Sequence, residues 1–232
     1  MNIYYRNDKA SLSGSETAVG SSLLNIYDPM LELRADFKAE LVTINGSYGG
    51  NIAAIDTLCI GYTNASLYEL TTREGKCSGR ITNKITVFNF TKTQYIDSFQ
   101  LKLEGVDPLY LGHLFLGQKT VLPRFTVEPE DGKALKSESS RSFGGQVFGM
   151  RRKTLKSFAA DFQRITAEEK EVIDEYVEAV LNIEPHIIDP YFEARDKFPP
   201  MYATLSNSEI SLTKRNENGF FYDGSFTWQE AR

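Results

Sequence analysis

The sequence predicts a mainly β protein: an N-terminal β-sandwich or jelly roll, then an α+β part with one main helix packed on antiparallel strands. Three observations predict it. Short apolar or alternating runs bounded by turn residues recur through the first 120 residues, with no strong helical period among them. Aromatic residues make up 12% of the chain, with 15 Phe and 12 Tyr, which suits pleated, half-buried surfaces. One stretch, Arg141 to Glu171, changes from strand-like to helical period partway along.

Composition bounds the rest. The chain has 232 residues, room for one large or two ordinary domains, and a hydrophobic fraction of 41% can build a core. A net charge of −5 gives no general field for nucleic acid. No apolar run is long enough to span a membrane. The start, MNIYYRNDKASLSGSE, lacks a basic region followed by an apolar run, so no signal peptide is expected. The two cysteines, Cys59 and Cys77, form no CxxC, and an intracellular chain would keep them reduced.

In chain order, Ile3 to Tyr5 reads as a short strand. Leu23, Leu24 and Ile26 lead into a turn at Tyr27-Asp28-Pro29. Leu31, Leu33, Ala35 and Phe37 alternate with Glu32, Arg34, Asp36 and Lys38, and Leu41, Thr43 and Asn45 continue that rhythm. Ile52 to Tyr62 is nearly continuous and apolar, the mark of a strand covered on both faces. Ala65 to Leu70 reads as another strand, and Arg73 to Asn83 as polar turns. Ile85 to Phe90, Tyr95 to Leu103 and Leu109 to Leu116 supply three more strands. Val121 to Ser142, with Pro123, Pro129 and Asp131-Gly132, reads as a linker. The expected domains are therefore a sandwich over 1–120 and an α+β assembly domain over 121–232.

In the second part, Phe143 to Met150 and Leu155 to Gln163 read as paired strands, with a hairpin tip at Arg151-Arg152-Lys153. Thr166-Ala167-Glu168-Glu169 is a capping box, opening a helix from about Ala167 to Asn182 that stops before Pro185. Val172, Ile173, Tyr176, Val177, Val180 and Leu181 form its apolar stripe. His186 to Asp189 fits one strand between two prolines. Tyr202 to Leu205, Glu209 to Lys214 and Phe220 to Trp228 follow, the last two joined by a turn at Asn216 to Gly219.

The pattern of the chain resembles structural proteins of phage and prophage tails with an N-terminal galactose-binding-like (discoidin-like) sandwich. In the first half the resemblance rests on Ser22 to Pro29, Ala54 to Asn64, Phe99 to Leu103 and Leu111 to Gly117. In the second it rests on Gly145 to Gly149, Phe158 to Glu169 and Glu184 to Pro190. It is a likeness of strand rhythm over most of the chain and matches no ligand-residue motif. It implies a non-catalytic virion component that assembles with other tail subunits, as a homo-oligomer or hetero-assembly, cytoplasmic before assembly. It also implies that such a sandwich can bind a sugar or lipid through loops at one end.

No constellation of reactive residues competes with that. His113 and His186 each sit in an apolar run without a nearby partner in sequence. HExxH, CxxC and GxSxG are absent, and Gly144 to Gly149 leads into strand residues, not a phosphate-binding helix. Neither a cofactor nor a metal is expected. The dense basic cluster Arg151, Arg152, Lys153 and Lys156 is the candidate subunit contact. Three functions remain, in order: a tail structural subunit, a module binding a host-surface glycan, and a glycan-cleaving enzyme using two carboxylates.

Overall fold

The structure, a computed structural model, describes residues 1–7, 9–30, 33–125, 130–134, 138–141, 147–150, 155–181, 183–207, 210–214 and 221–231. The strands are β1 (Asn2–Tyr4), β2 (Ser11–Gly14), β3 (Ala35–Phe37), β4 (Leu41–Ser47), β5 (Ala53–Thr63), β6 (Leu67–Thr72), β7 (Gly75–Arg80), β8 (Ile85–Ile96), β9 (Ser98–Glu104) and β10 (Leu109–Gly117). They continue with β11 (Thr120–Val121), β12 (Glu130–Ala134), β13 (Glu138–Arg141), β14 (Val147–Met150) and β15 (Leu155–Ile165). The helix α1 (Ala167–Val180) precedes β16 (His186–Asp189), β17 (Met201–Leu205), β18 (Thr213–Lys214) and β19 (Tyr222–Glu230). The described residues are therefore mainly β with a single α-helix, as the sequence predicts. The chain divides into two compact units. One joins residues 2–120 to 187–201; the other joins 121–186 to 202–231 and residue 1.

The first unit is an antiparallel sandwich. One sheet runs β3-β10-β5-β8 and the other β2-β4-β9-β6-β7. Period-two alternation places Val42 and Ile44 of β4, Tyr68 and Leu70 of β6, and Leu101 and Leu103 of β9 inward. Phe37, Ile55, Ile60, Leu109, Leu111 and Leu114 complete the same core from the other sheet. Leu23–Tyr27 forms a 3-10 helix, with Ser22 Oγ accepting from the Leu24 amide. The polar segment expected as turns, Arg73 to Asn83, instead contains β7, paired with β6 from Leu67↔Arg80 to Thr72↔Gly75. Its backbone completes the ladder, so its Gly, Lys and Ser need no intrinsic strand preference.

Strand β5 is buried on both faces, as its apolar run predicts. Its inner residues Leu58 and Ile60 face the sandwich core, and Thr57, Cys59 and Gly61 on the other side are also buried. A second layer lies on that outer side. β1 pairs with β16 as Asn2↔Asp189, Ile3↔Ile188 and Tyr4↔Ile187, and the Tyr4 ring meets Phe115 edge-on at 5.7 Å.

This layer holds a buried ion pair. Asp189 is fully buried, and Arg195 donates to its Oδ2 through Nη2 at 2.6 Å and through Nε at 2.8 Å. Tyr4 Oη also donates to Asp189 Oδ2 at 3.2 Å. Arg195 Nη1 donates to the Val87 carbonyl at 3.2 Å, closing part of the β8 edge. Burial pushes the Tyr4 phenol and the Cys59 thiol well up from their ordinary values. Both groups are therefore neutral and unreactive near neutral pH.

The second unit is built on β19. It pairs with β15 (Phe158↔Trp228, Ala160↔Phe226, Phe162↔Gly224) and with β17 (Leu205↔Trp228). Phe158, Phe162, Phe226 and Trp228 form one aromatic cluster, with Phe125 edge-on to Phe158 at 5.8 Å. A bulge between Phe162 and Ile165 holds Arg164 at φ 58, where its amide donates to Asp223 Oδ1 at 3.0 Å.

Three expectations need correction here. The segment 121–142 is not a plain linker: β12 pairs with β15, and β13 with β14. The hairpin expected between Phe143–Met150 and Leu155–Gln163 does not form, because β14 pairs with β13 and β15 lies between β12 and β19. The expected tip, Arg151-Arg152-Lys153, and the turn Asn216 to Gly219 lie outside the described residues. Helix α1 has its predicted capping box but ends at Val180. Leu181 turns left-handed at φ 43 and stands 60% exposed, and Val172 is also exposed, so the buried stripe narrows to Ile173, Tyr176 and Val180.

The ion pair makes a prediction. Arg195→Met would strand a carboxylate that has no access to water, at a cost of about 3–5 kcal/mol. Urea denaturation followed by fluorescence should show that loss, and Asp189→Leu combined with Arg195→Met should recover most of it. A loss below about 1 kcal/mol in the single variant would show that the pair does not hold the second layer.

Candidate functional site

His186 belongs to a buried chain of hydrogen-bonded side chains. In the second unit, Trp228 Nε1 donates to Tyr176 Oη at 2.8 Å, and Tyr176 Oη lies 2.7 Å from His186 Nε2. An indole N–H can only donate, so the phenol spends its own proton on His186 Nε2. Nδ1 therefore carries the imidazole proton and donates to the Glu184 carbonyl at 3.0 Å. Every polar atom of this chain of side chains is satisfied, and none faces solvent. Burial lowers His186 to about 4. His113 in the first unit, half-buried on β10, is also lowered to about 4, by burial and by the Lys9 charge.

The predicted basic cluster is only partly described. Lys156 is exposed on β15, its backbone N–H donating to Glu230 Oε2 at 3.2 Å, and Arg151, Arg152 and Lys153 fall outside the described residues. Among the described residues, no group of three or more His, Cys, Asp and Glu could hold a metal ion. No helix among them is long and apolar enough to cross a membrane. Cys59 and Cys77 are free thiols.

Two surface depressions lie on the first unit. One, about 490 Å³, is lined by Leu12, Ser15, Glu16, Thr17 and Ser21 to Leu24. Its hydroxyls each hold a backbone partner. Ser15 accepts from the Thr43 amide, Thr17 donates to the Ser21 carbonyl, Ser21 donates to the Arg34 carbonyl, and Ser22 caps the 3-10 helix. Ser15 and Ser22 each keep a proton to donate, Thr17 keeps its acceptor capacity, and the Glu16 carboxylate has no side-chain partner among the described residues.

The other, about 340 Å³, lies on the outer face of the five-stranded sheet. Register builds it. Leu41 of β4 pairs with Glu104 of β9, Glu104 with Leu67 of β6, and Leu67 with Arg80 of β7. Partners in an antiparallel ladder point to the same face. The four side chains therefore form one row across four strands, about 4.8 Å apart, alternating apolar, acidic, apolar and basic. The next outward row is Thr43, Lys102, Glu69 and Ser78. The row between them, Val42, Leu103, Tyr68 and Gly79, points inward. A Cβ on Gly79 would meet the Tyr68 ring at 2.8 Å, so glycine there gives the ring its place beneath the cleft.

The charges of this cleft differ in how far they are occupied. Glu69 binds Lys76 at 2.7 Å and lies 3.7 Å from Lys102. The hydrogen bond from Lys76, with the two positive charges, holds its carboxyl below the usual range. The side chains of Arg80 and Glu104 have no such partner among the described residues. Leu41 and Leu67 are 60% and 38% exposed, too much for core residues. Among the described residues, the cleft thus offers one unpaired fork of N–H donors, one unpaired carboxylate and two apolar surfaces. None of these residues stands out in the sequence: they lie at 41, 67, 80 and 104, and only the register joins them. The available signal was Leu41 and Leu67 at the outward positions of their strands.

No family model matches the sequence, and no curated protein matches it significantly. Solved structures give loose likenesses over half the chain. A module from Clostridium perfringens, CpGH89CBM32-4, is 14% identical, with 49% of this chain and 100% of that one covered and a TM-score of 0.40. The family 32 CBM of C. perfringens NanJ, in complex with galactose, is 12% identical, with 50% and 98% covered and a TM-score of 0.42. A Ruminococcus gnavus GH29 fucosidase in complex with fucose is 14% identical with a TM-score of 0.43, over 50% of this chain and only 27% of that one. No tail protein is among these three. Superpositions this loose transfer neither a ligand nor a residue to this chain.

His186 sets an acid limit. Its pKa falls from 6.5 in the unfolded chain to about 4 when folded, so between those values the unfolded state binds more protons. Stability should therefore be full above about pH 6.5 and fall by about 3 kcal/mol by pH 4, then level off. Denaturant unfolding of the wild type and of His186→Gln across that range checks this. The variant should be less stable at pH 7 and show a flatter profile, whereas parallel profiles would remove His186 as the cause.

Proposed function

We propose that the protein is a non-catalytic saccharide-binding module whose ligand lies across strands β4, β9, β6 and β7. The observation that carries this is the alternating row Leu41, Glu104, Leu67 and Arg80, with both of its charged members unpartnered among the described residues. Sugars present hydroxyls around their rim and C–H groups on their faces. A site for them needs fixed polar side chains interleaved with apolar surface. Charged side chains make the stronger hydrogen bonds to hydroxyls, and an exposed, already ordered strand face loses little entropy on binding. A cleft of about 340 Å³ sits at the small end of the range for ligand sites, enough for one or two sugar rings.

Neither rival gains a comparable observation. The tail-subunit reading rests on strand rhythm and on a basic cluster that lies mostly outside the described residues. A glycosidase would need two carboxylates facing a scissile bond. Of the two in this cleft, Glu69 is tied to lysines and Glu104 stands on an open face.

A glycan microarray probed with the full chain tests the proposal. The expected result is binding to a subset of glycans that Glu104→Ala and Leu67→Ser each weaken about tenfold, roughly 1.4 kcal/mol, with unchanged circular dichroism. Absence of any hit, or hits untouched by both substitutions, would overturn it.

A further inference from the structure

If the cleft holds a saccharide, its side chains also bear on the charge of that ligand. The cleft and its border hold three cations, Lys76, Arg80 and Lys102, against two carboxylates, Glu69 and Glu104. Glu69 is the nearer acid to both lysines, at 2.7 Å from Lys76 and 3.7 Å from Lys102, so these three charges largely satisfy one another. That leaves Arg80 and Glu104 facing the ligand, two strand spacings apart with Leu67 between them. Leu67 keeps the two side chains from meeting directly and gives a sugar face something to lie on.

We propose, resting on the saccharide reading of the cleft, that the ligand is a saccharide bearing one carboxylate, a uronic acid unit, oriented with its carboxylate on Arg80 and its hydroxyls toward Glu104. A guanidinium matches a carboxylate through two parallel N–H···O bonds, a fit that a hydroxyl cannot use in full. Glu104 sets the opposite end: its carboxylate accepts hydrogen bonds from hydroxyls and disfavours a second anionic group. Arg80 stands at the edge strand, so a longer chain can leave the cleft past β7 without crossing the sheet. A single unpaired cation facing a fixed acid favours a monoanion. A multiply sulfated chain would need several cations with no acid in the row.

The test is calorimetric titration of the full chain with matched oligosaccharides of gluco, galacto and manno configuration. Each comes in three forms: neutral at the terminal unit, oxidised there to the uronic acid, or sulfated on that unit. In whichever configuration binds, the uronate should bind at least tenfold more tightly than the neutral form, and the sulfate should not exceed it. Arg80→Gln should bring the uronate-to-neutral ratio close to one, and Arg80→Lys should restore only part of it. Lys92→Gln, an exposed charge on the other sheet, should leave the ratio unchanged. Equal binding of neutral and acidic forms, a preference for the sulfate, or a ratio insensitive to Arg80→Gln would overturn the acidic ligand while leaving the saccharide reading intact. Binding of none of the series would overturn both.

Discussion

The first unit depends on the burial of β5 from both sides. A strand covered on one face can carry polar residues on the other, and the sandwich would need nothing more. Here Thr57, Cys59 and Gly61 are buried outside the sandwich core, so something must cover them. The cover comes from the first strand and from residues 187–201, the two most distant parts of the chain that this unit uses. Those segments cover β5, and within them Asp189 is fully buried. The Arg195 guanidinium is the answer to that burial. It neutralises the carboxylate, and its remaining N–H groups reach Val87 and Tyr4. Asp189 Oδ1 stays without a hydrogen bond, so the pair does not optimise stability in isolation. The pair ties the layer to β8 through the Val87 carbonyl and to β1 through Tyr4 Oη.

That arrangement leaves the two outer surfaces of the sandwich unequal. The sheet containing β5 has its outer side partly closed. The sheet β2-β4-β9-β6-β7 has its outer side open, and its outward rows carry Thr, Asn, Gln, Glu, Lys, Ser and Arg. Several of these pair with each other, as Gln100 does with Asn45 and Glu69 with its lysines. An open polar face whose members are mutually satisfied is an ordinary solvated surface. The row Leu41, Glu104, Leu67 and Arg80 departs from this, because two of its members are apolar and exposed and the other two are charged and unpaired among the described residues. The departure is local, at one end of the sheet, and it coincides with a concavity.

How much of this the sequence carried depends on the range of the interaction. Elements defined by neighbours within a few residues were legible. The capping box of α1 forms with Thr166 and Glu169 bonded in both directions. The two-sided burial of β5 and the short strand between Pro185 and Pro190 are also present. Elements defined by a partner were not. β7 reads as polar turns because its sequence, GKCSGR, carries no apolar alternation, and only the β6 ladder makes it a strand. β14 takes β13 and not β15 as its neighbour, a choice hidden for the same reason, since adjacency in sequence does not choose between two antiparallel partners. The end of α1 turns on one residue, Leu181, entering the left-handed region without a glycine to announce it.

The candidate site lies at the far end of this scale. Its residues come from four strands, and a shift of one position in any pairing would turn that strand's member of the row into the core. Yet the same pairing makes the site rigid once the core is formed. Val42, Leu103 and Tyr68 are the inward neighbours of the row, all buried, and they fix which way Leu41, Glu104 and Leu67 must face. The hydrophobic core thus specifies the polar surface by alternation alone. A face determined in this way needs no second layer of hydrogen bonds to orient it. The sheet beneath Arg80 and Glu104 thus sets their spacing, with no ion-pair partner for either side chain among the described residues.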